Sequence, residues 1–281
     1  MSIAHPRALR RALVAAAAGG ALAAGAAFAQ IVPTSPPQVE IGVGSGAAEI
    51  EGADALLRGA IELTFANTSG KPAVALAFRL PAGGDLDAFG KKVAKLRDPS
   101  ALMKEGSYEA MGIVDPKGSY TTTIDARAGR YAIVELPDKA APKVVGSFDV
   151  GPGTAGAKAP EPDATVTLRE YGIGAPRTLP SKGVVRVRNT GEELHELLAF
   201  RVGKGQTQNE ALALLKAGKD KKVRFDGPPT GVVGIVSPGT TNDVELSLAK
   251  GRYVLVCFYG DAKSKGKSHI SLGMGGAFTV R

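Results

Sequence analysis

Tryptophan is absent from the 281-residue chain, histidine occurs three times and cysteine once. A single cysteine excludes an intramolecular disulfide, so the fold is held by its apolar core rather than by covalent staples. His5 falls in the N-terminal leader described below, which leaves His195 and His269 as the histidines of the mature chain. After residue 29 no apolar run is long enough to cross a bilayer, which excludes a membrane span in the mature protein. There is no basic helix and no basic motif interleaved with aromatic residues, which excludes nucleic acid as a partner. The formal charge is +8, and three of those positive charges belong to the leader, leaving a modest +5.

Arg7, Arg10 and Arg11 form a positive segment, an Ala/Leu/Val/Gly run follows from Ala12 to Ala27, and Ala27-Phe28-Ala29 supplies the small residues a signal peptidase needs. Residues 1–29 are therefore read as a signal peptide cleaved before Gln30, with the product periplasmic or secreted. Arg10-Arg11 with Leu13 and Val14 loosely resembles a twin-arginine signal. In an oxidising compartment a lone thiol is a liability unless it is buried or ligated, which draws attention to Cys257.

The chain repeats itself at an offset of 122 residues. Asn67-Thr68 falls on Asn189-Thr190, Phe78-Arg79 on Phe200-Arg201, Gly112-Ile113-Val114 on Gly234-Ile235-Val236, and Gly129-Arg130-Tyr131 on Gly251-Arg252-Tyr253. Two copies of one domain are expected, at 49–150 and 164–281. Residues 30–48 are read as a loose lead-in and the Gly/Pro/Ala-rich 151–163 as a linker. Alternating segments predict strands near 61–66, 73–79, 184–188 and 194–202, and apolar segments predict central strands at 130–136 and 252–258. Each copy also predicts one helix. Leu86, Phe89, Val93 and Leu96 mark the first. The second starts at a Thr207/Glu210 capping box, carries Leu212, Leu214 and Leu215 inward, and stops at Gly218. Many short strands with one helix per copy argue an all-β pair of sandwiches.

The two mature histidines, the only cysteine and the only methionine of the second copy occur in the order His195, Cys257, His269, Met274. A thiolate and two imidazoles with a distant thioether form a donor set acceptable to both Cu(I) and Cu(II). Cys257 ends a central strand, His195 opens another after the Asn189-Thr190-Gly191 turn, and His269 and Met274 share the loop before the last strand. Gly273, Gly275 and Gly276 around Met274 suit a tight turn better than a core filler. The first copy carries Ala73 and Glu135 where the second has His195 and Cys257, so the fold does not itself require these side chains.

These motifs, Asn189-x-Gly191 with His195, Tyr253-x-x-x-Cys257, and His269-x4-Met274 before Phe278-x-Val280, resemble the cupredoxins, the type 1 (blue) copper family that includes plastocyanin and pseudoazurin. The resemblance spans roughly 164–281, with a ligand-free echo in 49–150. It implies two tandem cupredoxin-like Greek-key β-sandwiches, one type 1 copper per chain on His195, Cys257, His269 and Met274, and single-electron transfer rather than enzymatic turnover. It also implies that His269 reaches the surface as the electron port. Lys263, Lys265 and Lys267 beside it, and Lys216, Lys219, Lys221, Lys222 and Arg224 after the second helix, then suit an acidic redox partner. Two departures stand out. Eleven residues separate Cys257 from His269, and Glu196 follows His195 where plastocyanins place an asparagine. Two mature histidines are too few for the additional copper centres of multicopper oxidases or nitrite reductases. Copper storage or delivery, and a metal-free interaction module, are the other functions compatible with the sequence.

Overall fold

A computed structural model describes residues 35–281 apart from 45, 82, 98–100, 103–104, 138–139, 228 and 262; residues 1–29, expected to be a signal peptide, lie outside the described residues. The first half contains β1 (Gln38–Val43), β2 (Ile50–Glu51), β3 (Leu56–Asn67), β4 (Ala73–Leu80), α1 (Leu86–Val93), β5 (Ser107–Val114), β6 (Ser119–Ala126), β7 (Gly129–Glu135) and β8 (Lys143–Thr154). The second contains β9 (Ala164–Arg169), β10 (Gly172–Gly174), β11 (Thr178–Leu179), β12 (Lys182–Asn189), β13 (His195–Arg201), α2 (Gln208–Lys216), β14 (Thr230–Val236), β15 (Thr241–Ser247), β16 (Gly251–Val256), β17 (Gly260–Asp261), β18 (Lys267–Ser268) and β19 (Gly275–Val280). The protein is all-β with one helix in each half. No helix among the described residues is long and apolar enough to cross a membrane.

Each half is a two-layer sandwich whose chain crosses between layers in the same order. In the first, β1, β3 and β6 form one layer and β8-β7-β4-β5 the other, with the start of β3 crossing to pair parallel with β8 as β11 pairs with β19 in the second. In the second, β10-β9-β12-β15 form one layer and β11-β19-β16-β13-β14 the other. Starts recur at the 122-residue offset: β4 and β13, α1 and α2, β6 and β15, β7 and β16. A shared detail fixes both cores. Tyr131 stacks on Phe148 and Tyr253 on Phe278, with centroids 5.0 and 5.1 Å apart. Each tyrosine hydroxyl donates to a carbonyl four residues earlier, Arg127 at 3.0 Å and Ala249 at 2.8 Å. The rings are thereby buried without stranding a polar group.

The helices form where the caps are. The Thr207–Glu210 capping box is present in full, and Asp85 caps α1 by accepting from the N–H groups of Asp87 and Ala88. The inward face of α2 is Ala211 and Leu215; Leu212 and Leu214 are only half-buried, because the start of the helix at Gln208 sets its rotation.

Two boundaries differ from the sequence reading. Residues 38–43 are not a loose lead-in: β1 pairs parallel with β3, and Val39, Ile41 and Val43 are buried on one face. The alternation was present but short and preceded by Pro33, Pro36 and Pro37. Within 151–163, β8 continues to Thr154 alongside β3 and Ala157 is buried, so the segment is partly a strand.

The halves are joined through one sheet, and residues 35–281 belong to one compact unit. β6 pairs antiparallel with β15 through Thr122↔Val244, Thr123↔Asp243 and Ile124↔Asn242. Thr122 and Val244 are counterparts at the repeat offset, so the two copies meet through the same surface, as subunits do in a two-fold dimer. On the opposite layer β5 packs against β14. The Tyr108 N–H donates to Ser237 Oγ at 2.8 Å, and the Ser237 N–H donates to the Tyr108 carbonyl at 3.3 Å. Leu194 and Ile235 of the second half share a core cluster with Leu76, Phe78 and Tyr108 of the first. Gly234 faces the Met111 side chain so closely that an added Cβ would overlap it. Gly234→Ala is expected to cost about 1–3 kcal/mol of stability by overpacking. Met111→Ala should recover part of that loss in a double-mutant cycle read by urea unfolding; strictly additive losses would show that the two residues do not meet.

Candidate metal centre

Strand order brings the candidate ligands to one end of the second sandwich. β13 and β16 are antiparallel neighbours, with Leu198 opposite Val256, so His195 at the start of β13 lies beside Cys257 just after β16. β16 is antiparallel to β19, with Val256 opposite Gly275, so the loop carrying His269 and Met274 reaches the same end. The described residues between Cys257 and His269 are folded, not slack. β17 and β18 form a small antiparallel ribbon with a turn at Lys263–Gly266. His269 N–H donates to the Tyr259 carbonyl and Ile270 N–H to the Cys257 carbonyl, both at 2.8 Å. The extra length closes on itself and returns His269 to the base of the loop.

His195, Cys257 and His269 converge, with their ligand atoms within 4.8 Å of one another. The two Nδ1 atoms are 3.1 Å apart, and Cys257 Sγ lies 3.4 Å from His269 Nδ1. Metal–imidazole bonds of roughly 2.0–2.1 Å place neighbouring nitrogens roughly 3 Å apart, so the spacing fits one shared ion. All three side chains are fully buried. Met274 is fully buried in the same core cluster as Cys257, and its N–H donates to the His269 carbonyl at 2.9 Å. It is thus a core residue as well as a neighbour in chain of the ligand loop. Gly273 before it has φ +116°, which explains a glycine there, and at Gly275 a side chain would strike Ile270 and Leu212.

Glu196 ties the two ligand strands. Its N–H points at Cys257 Sγ at 3.4 Å and its carboxylate accepts the Phe258 N–H at 2.7 Å. Burial pushes its carboxyl upward. Burial also raises the Cys257 thiol to about 12, so the metal-free residue is a thiol and its ionisation needs a cation beside it.

His269 does not reach the surface, contrary to the port the family resemblance implied. Its ring is covered by Tyr171 and Tyr259, with centroids 5.8 and 5.9 Å away, and its Nε2 faces Glu193 Oε2 at 3.2 Å. His195 Nε2 faces Glu170 Oε1 at 3.7 Å. Tyr171 donates its hydroxyl to Asp261 Oδ2 at 2.9 Å, and Lys263 lies 3.3 Å from Glu193. Sequence reasoning missed this outer shell. Glu193 has a weak signal, standing two residues before His195, whereas Glu170 and Tyr171 come from a distant strand end.

No family model matches this chain, and no curated protein matches it. Among solved structures, it is similar to a reduced auracyanin from Roseiflexus castenholzii at 18% identity and TM-score 0.28, covering 42% of this chain and 94% of that one. It is similar to Lac15 from a marine microbial metagenome at 14% identity and TM-score 0.31; the match spans 80% of this chain and 63% of Lac15. A copper nitrite reductase from Nitrosomonas europaea aligns at 13% identity and TM-score 0.24, over 87% and 93% of the two chains. With every TM-score far below 0.5, the functional reading rests on the site itself.

Burial, and after it the neighbouring His269, lower the His195 imidazole from 6.5 to about 4, with Glu170 opposing. Between those values the unfolded chain binds a proton that the folded one refuses, so stability rises with pH there. The metal-free protein should lose about 3 kcal/mol from this group as pH falls from above 6.5 to below 4. Urea unfolding across that range, compared with His195→Leu, measures it; identical slopes for the two proteins would assign the acid sensitivity elsewhere.

Proposed function

We propose that the chain is an exported single-electron carrier holding one copper ion in its C-terminal half, and not an enzyme. His195 Nδ1, Cys257 Sγ and His269 Nδ1 would hold the ion, with Met274 as the fourth candidate ligand. The observation that carries this reading is the meeting of two imidazole nitrogens and one thiol sulfur, all buried, in a chain that has no other cysteine and no further mature histidine. When bound, copper supplies the one-electron couple, and soft sulfur with borderline nitrogen accommodates both oxidation states.

The chain's own residues supply rigidity and exclusion of water. Glu196 and the backbone bonds from His269 and Ile270 fix the ligand loops before metal arrives. That favours a couple needing little rearrangement. It also disfavours delivery, which requires an exchangeable, accessible ligand. In the first half Glu135 stands at the counterpart of Cys257, accepting the Gly44 N–H and pairing with Lys143 at 3.2 Å. A carboxylate already satisfied in this way leaves the first half as a scaffold.

Cu(II) added to purified protein should bind at one equivalent per chain and produce an intense visible thiolate-to-copper band. Cys257→Ser should abolish the band, while Met274→Leu should keep it and change the reduction potential. A wild-type spectrum in Cys257→Ser would rule the assignment out.

The proposed redox partner is acidic and docks over the ribbon near His269, where Lys263, Lys265 and Lys267 are exposed. Surface charges act mainly on encounter rates and are screened over roughly 8–10 Å at physiological salt. Reduction by an acidic donor should therefore slow as ionic strength rises, and reversal of the three lysines to glutamate should slow it further with the spectrum intact. Rates indifferent to both changes would move the docking face elsewhere.

A further inference from the structure

Resting on the copper reading above, we propose that Glu193 and Glu170 are positioning residues that hold the outer edges of the two imidazoles and bias the centre toward the oxidised ion. His269 Nε2 and His195 Nε2 are both buried without a well-aligned hydrogen-bond partner, and the group nearest each is a carboxylate. With the Nδ1 atoms committed to a metal, the ring protons sit on Nε2. Each ring then presents an N–H to a glutamate, fixing tautomer and orientation and making the ring a better donor.

The two glutamates form one device. Glu170 Oε1 accepts the backbone N–H groups of both Glu192 and Glu193, so it anchors the segment that carries Glu193. Asn189 closes the same loop: its amide donates to the Glu193 carbonyl at 2.8 Å and the Val236 carbonyl at 3.0 Å, and its oxygen accepts the Gly191 N–H at 2.9 Å. Asp261, held by the Tyr171 hydroxyl and the Lys263 N–H, adds a third carboxylate, and the Lys263 ammonium beside Glu193 is the one cation that faces them among the described residues. The shell is thus net negative. Moving from Cu(I) to Cu(II) adds one positive charge at the metal, which nearby carboxylates stabilise more in the oxidised state.

The experiment compares copper-loaded wild type, Glu193→Gln, Glu170→Gln and Lys263→Gln by redox titration, with Cu(I) and Cu(II) affinities measured separately by competition. Glu193→Gln keeps the side-chain shape and should retain the visible band. Its ratio of Cu(II) to Cu(I) affinity should fall roughly tenfold, a rise in potential of about 59 mV for a one-electron couple. Glu170→Gln should change it in the same direction by less, since its carboxylate is farther from the ring and more exposed. Lys263→Gln, which unmasks Glu193, should change it in the opposite direction; a purely structural role for these residues would not produce opposite signs. Bands intact with potentials unmoved would overturn this inference alone. No band in the wild type would overturn the copper reading and this inference with it. A second equivalent of Cu(II) bound by the wild type and lost in both Glu193→Gln and Asp261→Asn would also overturn it, by making Glu193 a ligand of an outer site.

Discussion

Two imidazole rings buried with their Nδ1 atoms 3.1 Å apart are the constraint on which the rest of the second half depends. Buried polar rings need partners on both edges, or each costs on the order of 1–3 kcal/mol. The inner edges have each other and a thiol; the outer edges have only carboxylates that the fold must deliver from elsewhere. That requirement ties together pieces of chain far apart in sequence: the turn after β9 for Glu170, the Asn189 loop for Glu193, and the β17–β18 ribbon for Asp261 and the return to His269. The cluster is held by its surroundings, since the same backbone bonds that close the loops also aim its side chains.

The two halves show what the scaffold does without that requirement. Asn67 repeats the behaviour of Asn189, donating to the Val114 carbonyl at 3.1 Å and accepting the Ser69 N–H at 2.9 Å. The asparagine loop is therefore a feature of the fold and not of the metal centre. The halves differ at the end of the sandwich that carries the candidate site. Ala73 and Glu135 replace His195 and Cys257, and a direct hairpin from β7 to β8 replaces the ribbon-bearing loop. Fusing the halves through β6 and β15 then removes two sheet edges at once, and each of those strands would otherwise expose a row of unpaired backbone groups.

Much of this was legible in the sequence because the signals were local or repeated. The capping box at Thr207, the alternation in 184–188 and the 122-residue register each depend on residues close in sequence or on self-comparison, and they place α2, β12 and the paired halves. The meeting of His195, Cys257 and His269 was legible through scarcity: with so few histidines and cysteines, their order and spacing carried information. The strand at 38–43 was hidden by its short length and its prolines, since its partner β3 lies some twenty residues on and pairs parallel, a contact no local pattern reveals. Glu170 and Tyr171 were hidden for the same reason. Charged and aromatic residues at strand ends are common, and only the fold says that this pair closes over a histidine.

If the proposed copper reading holds, the burial of His269 sets how an electron would have to leave the centre. A ring at the surface lets a partner touch the ligand itself. Here the tyrosines and Glu193 lie over the ring, and Tyr171, whose hydroxyl is held by Asp261, is the exposed aromatic closest to it. Oxidation of a phenol is helped when a base accepts its proton, but Asp261 already carries donors from Tyr171 and Lys263, and its pKa is held down first by a hydrogen bond from Ser264 and then by Tyr171 itself. Asp261 is therefore a poor proton acceptor, and a hydrogen bond to it raises the Tyr171 pKa. The phenol stays protonated and acts as a packed, neutral spacer. On these grounds the cover shields the His269 ring from water, and in the proposed carrier an electron would cross Tyr171 without residing there.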